Sequence, residues 1–410
     1  MEAIQLFKLL NRDQRNTFLA CFLGWSLDAF DFFLLTFVIV PMAYDFDTSV
    51  ADLSYAITIT LAMRPVGAFI FGLLGDRFGR RIPLMINIIF YSLMELLTAF
   101  SPNYTVLLIF RALYGIGMGG EWGLGASLAM EMLPTQARGL FSGILQQGYA
   151  FGYLLAAVVY WSVFPLFGWR GLFVTGALPA VLVIYIRARV PESPVWLRKQ
   201  HAMGDFWREL LFVLKRHWAL LVYVILLMTA FNAMAHGTQD MYQTFLGEQR
   251  HYGVTQKATT GIIYAFGAIC GGTVIGHLSQ KWGRRRSIAL CCAFGIVLIP
   301  LWVFSPGYTL LVIGGFAMQF MVQGAWGIVP VHLNELSPDA VRGTFPGVAY
   351  QLGNLFAANT AVLEAHLAYN FRDASGHPDY AKALGLFTLI MFVLLIFLAV
   401  IGSEKRGTEF

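Results

Sequence analysis

Charge is what this 410-residue chain is short of: 12% of its residues are Asp, Glu, Lys or Arg, against about 25% in an ordinary soluble domain. With 58% hydrophobic residues, that deficit excludes a soluble globular protein and a disordered one. Cysteine is scarce as well. The four present, Cys21, Cys270, Cys291 and Cys292, fall within apolar runs and show neither metal-ligand spacing nor an extracellular pairing pattern, so no disulfide and no metal are expected. No phosphate-binding loop, nucleophile–base pair or cofactor motif is visible, which makes an enzyme the weakest reading and leaves no cofactor to expect. The first fifteen residues carry Lys8, Arg12 and Arg15 but no short apolar core with a small-residue cleavage site, so the first span reads as a retained signal anchor. The terminal 407–410 segment, Gly-Thr-Glu-Phe, resembles a cloning remnant.

What the chain has instead is apolar runs of about twenty residues from end to end, the length of a membrane-crossing helix. Spans are expected near 17–40, 52–74, 83–100, 104–129, 140–163, 168–187, 217–245, 256–279, 287–304, 308–331, 343–367 and 380–402. Twelve crossings put both ends on one side. About 21 of the 28 Lys and Arg lie in the termini and the even-to-odd connections, about 5 in the opposite loops and 2 within spans, so both termini are expected in the cytoplasm of a multi-pass inner or plasma membrane protein. The pI near 9.0 follows from that bias and gives no reason to expect nucleic acid. The basic runs at 77–81 and 284–286 sit where anionic lipid head groups would be.

A repeat runs through the chain. Gly72-Leu-Leu-Gly-Asp76-Arg77-Phe-Gly79-Arg80-Arg81 returns as Gly276-His-Leu-Ser-Gln280-Lys281-Trp-Gly283-Arg284-Arg285, an offset of 204 residues. Gly120-Glu-Trp122-Gly123 and Gly324-Ala-Trp326-Gly327 keep that offset, as do Glu131, Pro134, Arg138 and Gly139 with Glu335, Pro338, Arg342 and Gly343, and Gln147 with Gln351. One register over so long a stretch implies two six-span halves of the same build. They divide as 1–187 and 217–406, with a charged connection at 188–216.

Parallel six-helix repeats are the arrangement of the major facilitator superfamily, and the motifs agree. The 72–81 segment resembles that superfamily's signature between spans 2 and 3. Arg111-x-x-x-Gly115-x-Gly117-x-Gly119 resembles its span-4 signature, and Pro191-Glu-Ser-Pro194-Val-Trp196 is similar to a motif of sugar and organic-acid porters after span 6. The resemblance covers the whole chain and implies an all-α membrane protein of that fold. On physical grounds, Asp76 can cap a neighbouring helix N-terminus while Arg77, Arg80 and Arg81 hold one face together, a latch that breaks when that face opens. Topology anchoring is the competing reading. Gln280 stands where the first copy has Asp76, so the charged latch is expected on the first copy. Arg111 is grouped with these gating residues.

The most informative stretch is Asn232-Ala-Met-Ala-His236-Gly-Thr238-Gln239-Asp240-Met-Tyr-Gln-Thr244. Ionisable residues at membrane depth cost roughly 2.5–3.5 kcal/mol on insertion scales, so they tend to mark a substrate or proton path. Asn232, His236 and Asp240 recur every four residues, which places them on one helix face. An interhelical hydrogen-bond clamp is the alternative. The stretch resembles the span-7 signature of the fungal lactate/pyruvate permeases, within the sialate:proton symporter grouping, apart from Ala235 where those proteins have a hydroxyl. That resemblance implies a small monocarboxylate carried with a proton.

Other deep polar residues fit a carboxylate independently. Arg64 has a planar fork that matches one, with a fixed salt bridge to Asp28 or Asp31 as the competing reading. Gln351 and Asn354, three apart on span 11, set two amides on one face. Asp28 and Asp31 lie three apart on span 1; two carboxylates that close in a low dielectric cannot both ionise cheaply, which makes them candidate proton carriers with His236 and Asp240. Glu121, Glu131 and Glu335 read as gate or loop groups, and Glu95 has no assignment. The expected protein is a monomeric proton-coupled symporter of a short monocarboxylate such as lactate or pyruvate. Arg64, Asn232, His236, Gln351 and Asn354 would bind substrate. A carrier of sialic acid or another larger organic acid is the runner-up, and a carboxylate sensor that keeps the fold is the reading from another class.

Overall fold

A bilayer offers no partner to a free backbone N–H or C=O, so runs this apolar must satisfy their hydrogen bonds internally as helices. The computed structural model describes residues 3–200, 206–372 and 376–409; the connection at 188–216 and the tail at 407–410 lie partly outside these. Among the described residues the chain is helical nearly throughout, and the one extended pairing is a bridge between Arg372 and Pro378.

Among the described residues, nine segments are long and apolar enough to cross a membrane. One of them, Arg138–Arg189, has 52 residues, about 78 Å of helix against a hydrocarbon core of about 30 Å. Gly168, at φ 63°, turns the chain inside it and makes it two crossings. Two further crossings escape a test of apolarity for physical reasons: Tyr104–Met132 carries Arg111, Glu121 and Glu131, and span 11 is broken into Phe345–Ala357 and Thr360–Asn370. The twelve expected spans are therefore accounted for.

In order, spans 1 to 4 are Arg12–Asp45, Val50–Phe78, Arg81–Ala99 and Tyr104–Met132. Span 5 is Arg138–Gln146 continued by Gly148–Thr175 as far as Gly168, and span 6 is the remainder with Pro179–Arg189. Span 7 is Trp218–Gln239 prolonged by Tyr242–Thr244 and a π turn at Phe245–Gln249. Spans 8 and 9 are Val254–Trp282 and Arg284–Val303; span 10 is Tyr308–Trp326 with Val329–Leu336, and span 12 is Tyr380–Ile401. Where hydropathy predicts one helix from 217 to 245, the structure ends it at Gln239. The Tyr264 hydroxyl donates to the Thr238 carbonyl beside the break, and the side chains of His236 and Asp240 are 37% and 39% exposed.

The repeat reappears in the packing. Spans 2 and 4 meet so closely at Gly67 that a Cβ there would lie 1.8 Å from the Ile116 carbonyl oxygen, and 204 residues on, Gly271 stands likewise 2.0 Å from that of Phe320. Arg80 pairs with Glu131 at 3.1 Å, and Arg284 with Glu335 at 3.0 Å, the same offset again. Glu192 accepts from the backbone N–H groups of Arg80 and Arg81 as Glu404 does from those of Arg284 and Arg285, each placing a carboxylate at a helix N-terminus. Gly79 and Gly283, at φ 93° and 97°, supply the left-handed turn before each of these helices.

The glycine contacts yield a first prediction. Gly67→Ala and Gly271→Ala should each lower the thermal unfolding midpoint by the equivalent of about 1–3 kcal/mol, the usual cost of overpacking. Gly253→Ala, with nothing within 4 Å of its Cβ, should leave the midpoint of the detergent-solubilised protein nearly unchanged.

Candidate functional site

Spans 7 and 11 bring three of the expected residues into one chain of contacts. Asp240 Oδ2 lies 3.0 Å from His236 Nδ1, and His236 Nε2 lies 3.4 Å from Asn354 Oδ1. A neutral imidazole can donate from only one nitrogen, and the imidazolium from both. Facing two oxygens, the ring donates to both only as the imidazolium. Asn232, one turn earlier, donates its amide N–H to the Met228 carbonyl at 2.8 Å. Gln239 turns aside to Gln319 of span 10 at 3.0 Å, and Gln319 donates in turn to Thr238.

The first half supplies the cation. Arg64 is 3% exposed, and its Nε and Nη2 have no hydrogen-bond partner. The salt bridge weighed between it and Asp28 or Asp31 is not formed: both carboxylates are fully buried, and all four of their oxygens are also without partners. The Arg64 guanidinium carbon lies 5.9 Å from the Tyr350 ring centre. Gln351, the next residue, is 1% exposed and makes no hydrogen bond from either end of its amide. Unsatisfied polar groups of this kind are rare in a finished interior, and those of Arg64, Asp28, Asp31 and Gln351 are among the ones this molecule holds.

The aromatic cluster beside Arg64 was not legible in the sequence. Trp122 and Trp326, the two tryptophans of the repeat, stand 4.5 Å and 5.8 Å from the Tyr350 ring. Tyr149 packs on Trp25 at 5.5 Å. A tryptophan kept at the same register in both halves, inside a glycine-rich polar motif, was the available signal.

Arg111 stands away from the latch residues with which its motif groups it. It pairs with Glu95 of span 3 at 2.6 Å, both side chains fully buried, with its guanidinium 4.1 Å over the Tyr114 ring. Glu95 thus gains the role that the sequence withheld. Gly176 shows how near Asp31 lies to that pair: a Cβ there would fall 2.3 Å from Glu95 Cγ and 3.1 Å from Asp31 Oδ1. Glu121 accepts from Asn87 at 3.3 Å. Asp28, Asp31, Glu95 and Glu121 are thus four buried acids near two arginines, Arg64 and Arg111, an inventory that approaches neutrality only by holding protons.

At the end bearing the glycine–arginine motifs, the two halves touch. Asp76 accepts from Gly343 N–H at 2.7 Å, from Thr344 N–H at 3.0 Å and from the Thr344 hydroxyl at 2.6 Å, capping the first segment of span 11 across the interface. Arg80 holds the same carboxylate at 2.7 Å. Ser127 donates to the Arg342 carbonyl and Ser142 to that of Gly327, and Gly123 abuts Gly347. Gln280, at the repeat position of Asp76, bonds Arg284 of its own half. Arg81 donates to the Arg187 carbonyl, while Arg77 is exposed over the Phe78 ring and takes no part in the cap.

The capped interface predicts that Asp76→Asn shifts the molecule toward opening at this end by about 1–2 kcal/mol, a factor of roughly 5–30. Spin labels replacing Arg77 and Lys281, measured by pulsed electron resonance, should show the longer separation gain population by that factor.

Residues 21–361 match the Major Facilitator Superfamily model. The carboxylic acid transporter protein homolog of Saccharomyces cerevisiae is 30% identical over 95% of this chain and 68% of its own length. The probable 4-methylmuconolactone transporter of Cupriavidus pinatubonensis is 31% identical over 98% and 93%. The solved structure of the proton:xylose symporter XylE bound to 6-bromo-6-deoxy-D-glucose shares the fold, with a TM-score of 0.75, 19% identity and coverage of 96% of this chain and 97% of that one.

Proposed function

Because the chain belongs to the major facilitator superfamily and is a membrane transporter rather than an enzyme, we propose that it is a symporter that moves a short monocarboxylate, such as lactate or pyruvate, with a proton. The observation that carries this reading is Arg64, a buried guanidinium with two free nitrogens and no ion pair among the described residues, whereas Arg111, which also has two unpartnered nitrogens, is already neutralised by Glu95. A carboxylate presents two oxygens to such a fork. Gln351, Asn354, Asn232 and His236 orient the bound anion, and His236–Asp240, with Asp28 or Asp31, holds the proton.

Coupling follows from electrostatics. An anion entering beside buried acids recruits a proton, and the charge-balanced loaded site crosses the occluded state more easily than a charged one. The halves at 1–187 and 217–406 rock about this site, with Asp76, held by Arg80, closing one end in the conformation described. The positive-inside bias makes that end cytoplasmic, with both termini on the same side. A monomer suffices, since both halves come from one chain.

A second reading keeps the mechanism and enlarges the cargo. The ring surfaces of Trp122, Tyr350 and Trp326 suit a larger or planar organic acid, and the muconolactone relative points the same way.

Uptake of radiolabelled L-lactate into proteoliposomes, with and without an inward proton gradient, tests both readings. The monocarboxylate reading expects gradient-driven accumulation that excess pyruvate blocks and sialic acid does not; inhibition by the larger acid alone favours the second reading. Arg64→Lys should raise the apparent KM for lactate by roughly tenfold or more, the scale of one lost charge-assisted hydrogen bond. Asp240→Asn should abolish accumulation against a gradient while leaving exchange.

A further inference from the structure

One buried acid near the site is left without a task. Glu364, in the second segment of span 11, is 1% exposed, and both its carboxyl oxygens are buried without a hydrogen-bond partner. It lies against Gly237, the residue after His236: a Cβ at Gly237 would come 3.2 Å from Glu364 Oε1 and 2.6 Å from the ring of Phe387 on span 12. Only glycine leaves room there. Span 7 therefore has a buried carboxyl packed on its backbone within one turn of the exposed His236–Asp240 pair.

The surroundings narrow what this carboxyl can do. Span 7 presents Asp240, whose charge bears on Glu364, and span 8 presents Tyr264, on which Glu364 acts in turn. His236 is engaged with Asp240 and Asn354. Span 12 contributes the apolar Phe387. On its own segment, His366 is bonded to the Val362 carbonyl. No cation pairs with Glu364 among the described residues. An isolated carboxylate in such a place is far more costly than the neutral acid. Span 11 is also broken between the amide that touches His236 and this acid, at 358–359.

We propose that Glu364 is a proton-holding residue of the transport cycle, storing the proton behind span 7 and exchanging it with Asp240. The step conserves charge: the proton leaves the Glu364 carboxyl and joins the Asp240 carboxylate, the first becoming an anion as the second becomes neutral, and the reverse on return. No electrons move. The inference rests on the proton-coupled reading and adds a residue to it.

Glu364→Gln keeps the shape and removes the titration. Wild type, E364Q and Glu364→Asp are compared in proteoliposomes with radiolabelled L-lactate, benzoate and sialic acid, using whichever probe the wild type accumulates under an inward proton gradient. The expected result is that E364Q exchanges the probe across equal pH but loses gradient-driven accumulation, its exchange rate no longer varying with pH, and that E364D restores both. Accumulation and a pH profile like the wild type's in E364Q overturn the inference and leave the coupling reading intact. Loss of exchange in E364Q that E364D does not restore also overturns it, since the residue is then only packing. If the wild type accumulates none of the three probes under the gradient, the coupling reading itself fails and this inference with it.

Discussion

The dominant constraint on this molecule is that a charge removed from water must be paired or neutralised. Breaking one partner of a buried ion pair typically costs about 3–5 kcal/mol, and the chain meets that constraint in two different ways. At the closed end, the pairs Arg80–Glu131 and Arg284–Glu335 are complete. Deeper in the first half, Arg111 has Glu95, but Arg64, Asp28 and Asp31 are left open, as is Gln351 of the second half. Completed pairs hold helices in place, whereas the open groups are those of the proposed site. The proposed anion and proton would complete this set.

The internal repeat separates architecture from chemistry. The features that recur at the 204-residue offset are those that build and pack: Gly67 and Gly271, Arg80 and Arg284, Glu131 and Glu335, Trp122 and Trp326. The deep charges do not recur. Arg64 faces Ala268 in the alignment of the halves, Glu95 faces Ile299, and Arg111 faces Gly315. Asp76 gives way to Gln280, and with it the carboxylate cap across the interface is confined to the first copy. Two halves of one build thus differ in their charges, the first holding most of the buried ones and the second the partly exposed His236–Asp240 pair.

Much of this was legible before any coordinates, because it is written in local patterns. The spans follow from hydropathy, the halves from the repeat, and the His236–Asp240 contact from four-residue spacing. The helix cap made by Asp76 follows from a carboxylate at a span end. Contacts between spans left no such trace. Glu95 meets Arg111 from a neighbouring helix, and nothing in either segment names the other. Glu404 plays the part of Glu192 but lies 212 residues away, outside the register that exposed the rest. The break at Asp240 was hidden because hydropathy measures how apolar a stretch is and not whether its helix is continuous. Glu364 was missed because a lone acid in an apolar segment makes no pattern until its neighbours are known.

The central claim is that an anion and a proton complete the open site together. It is tested most directly by the pH of a weakly buffered suspension of proteoliposomes when L-lactate is added outside. The account predicts alkalinisation of the medium as lactate enters, absent from empty liposomes and abolished when an ionophore collapses the proton gradient. Lactate entry with no change in external pH would contradict it.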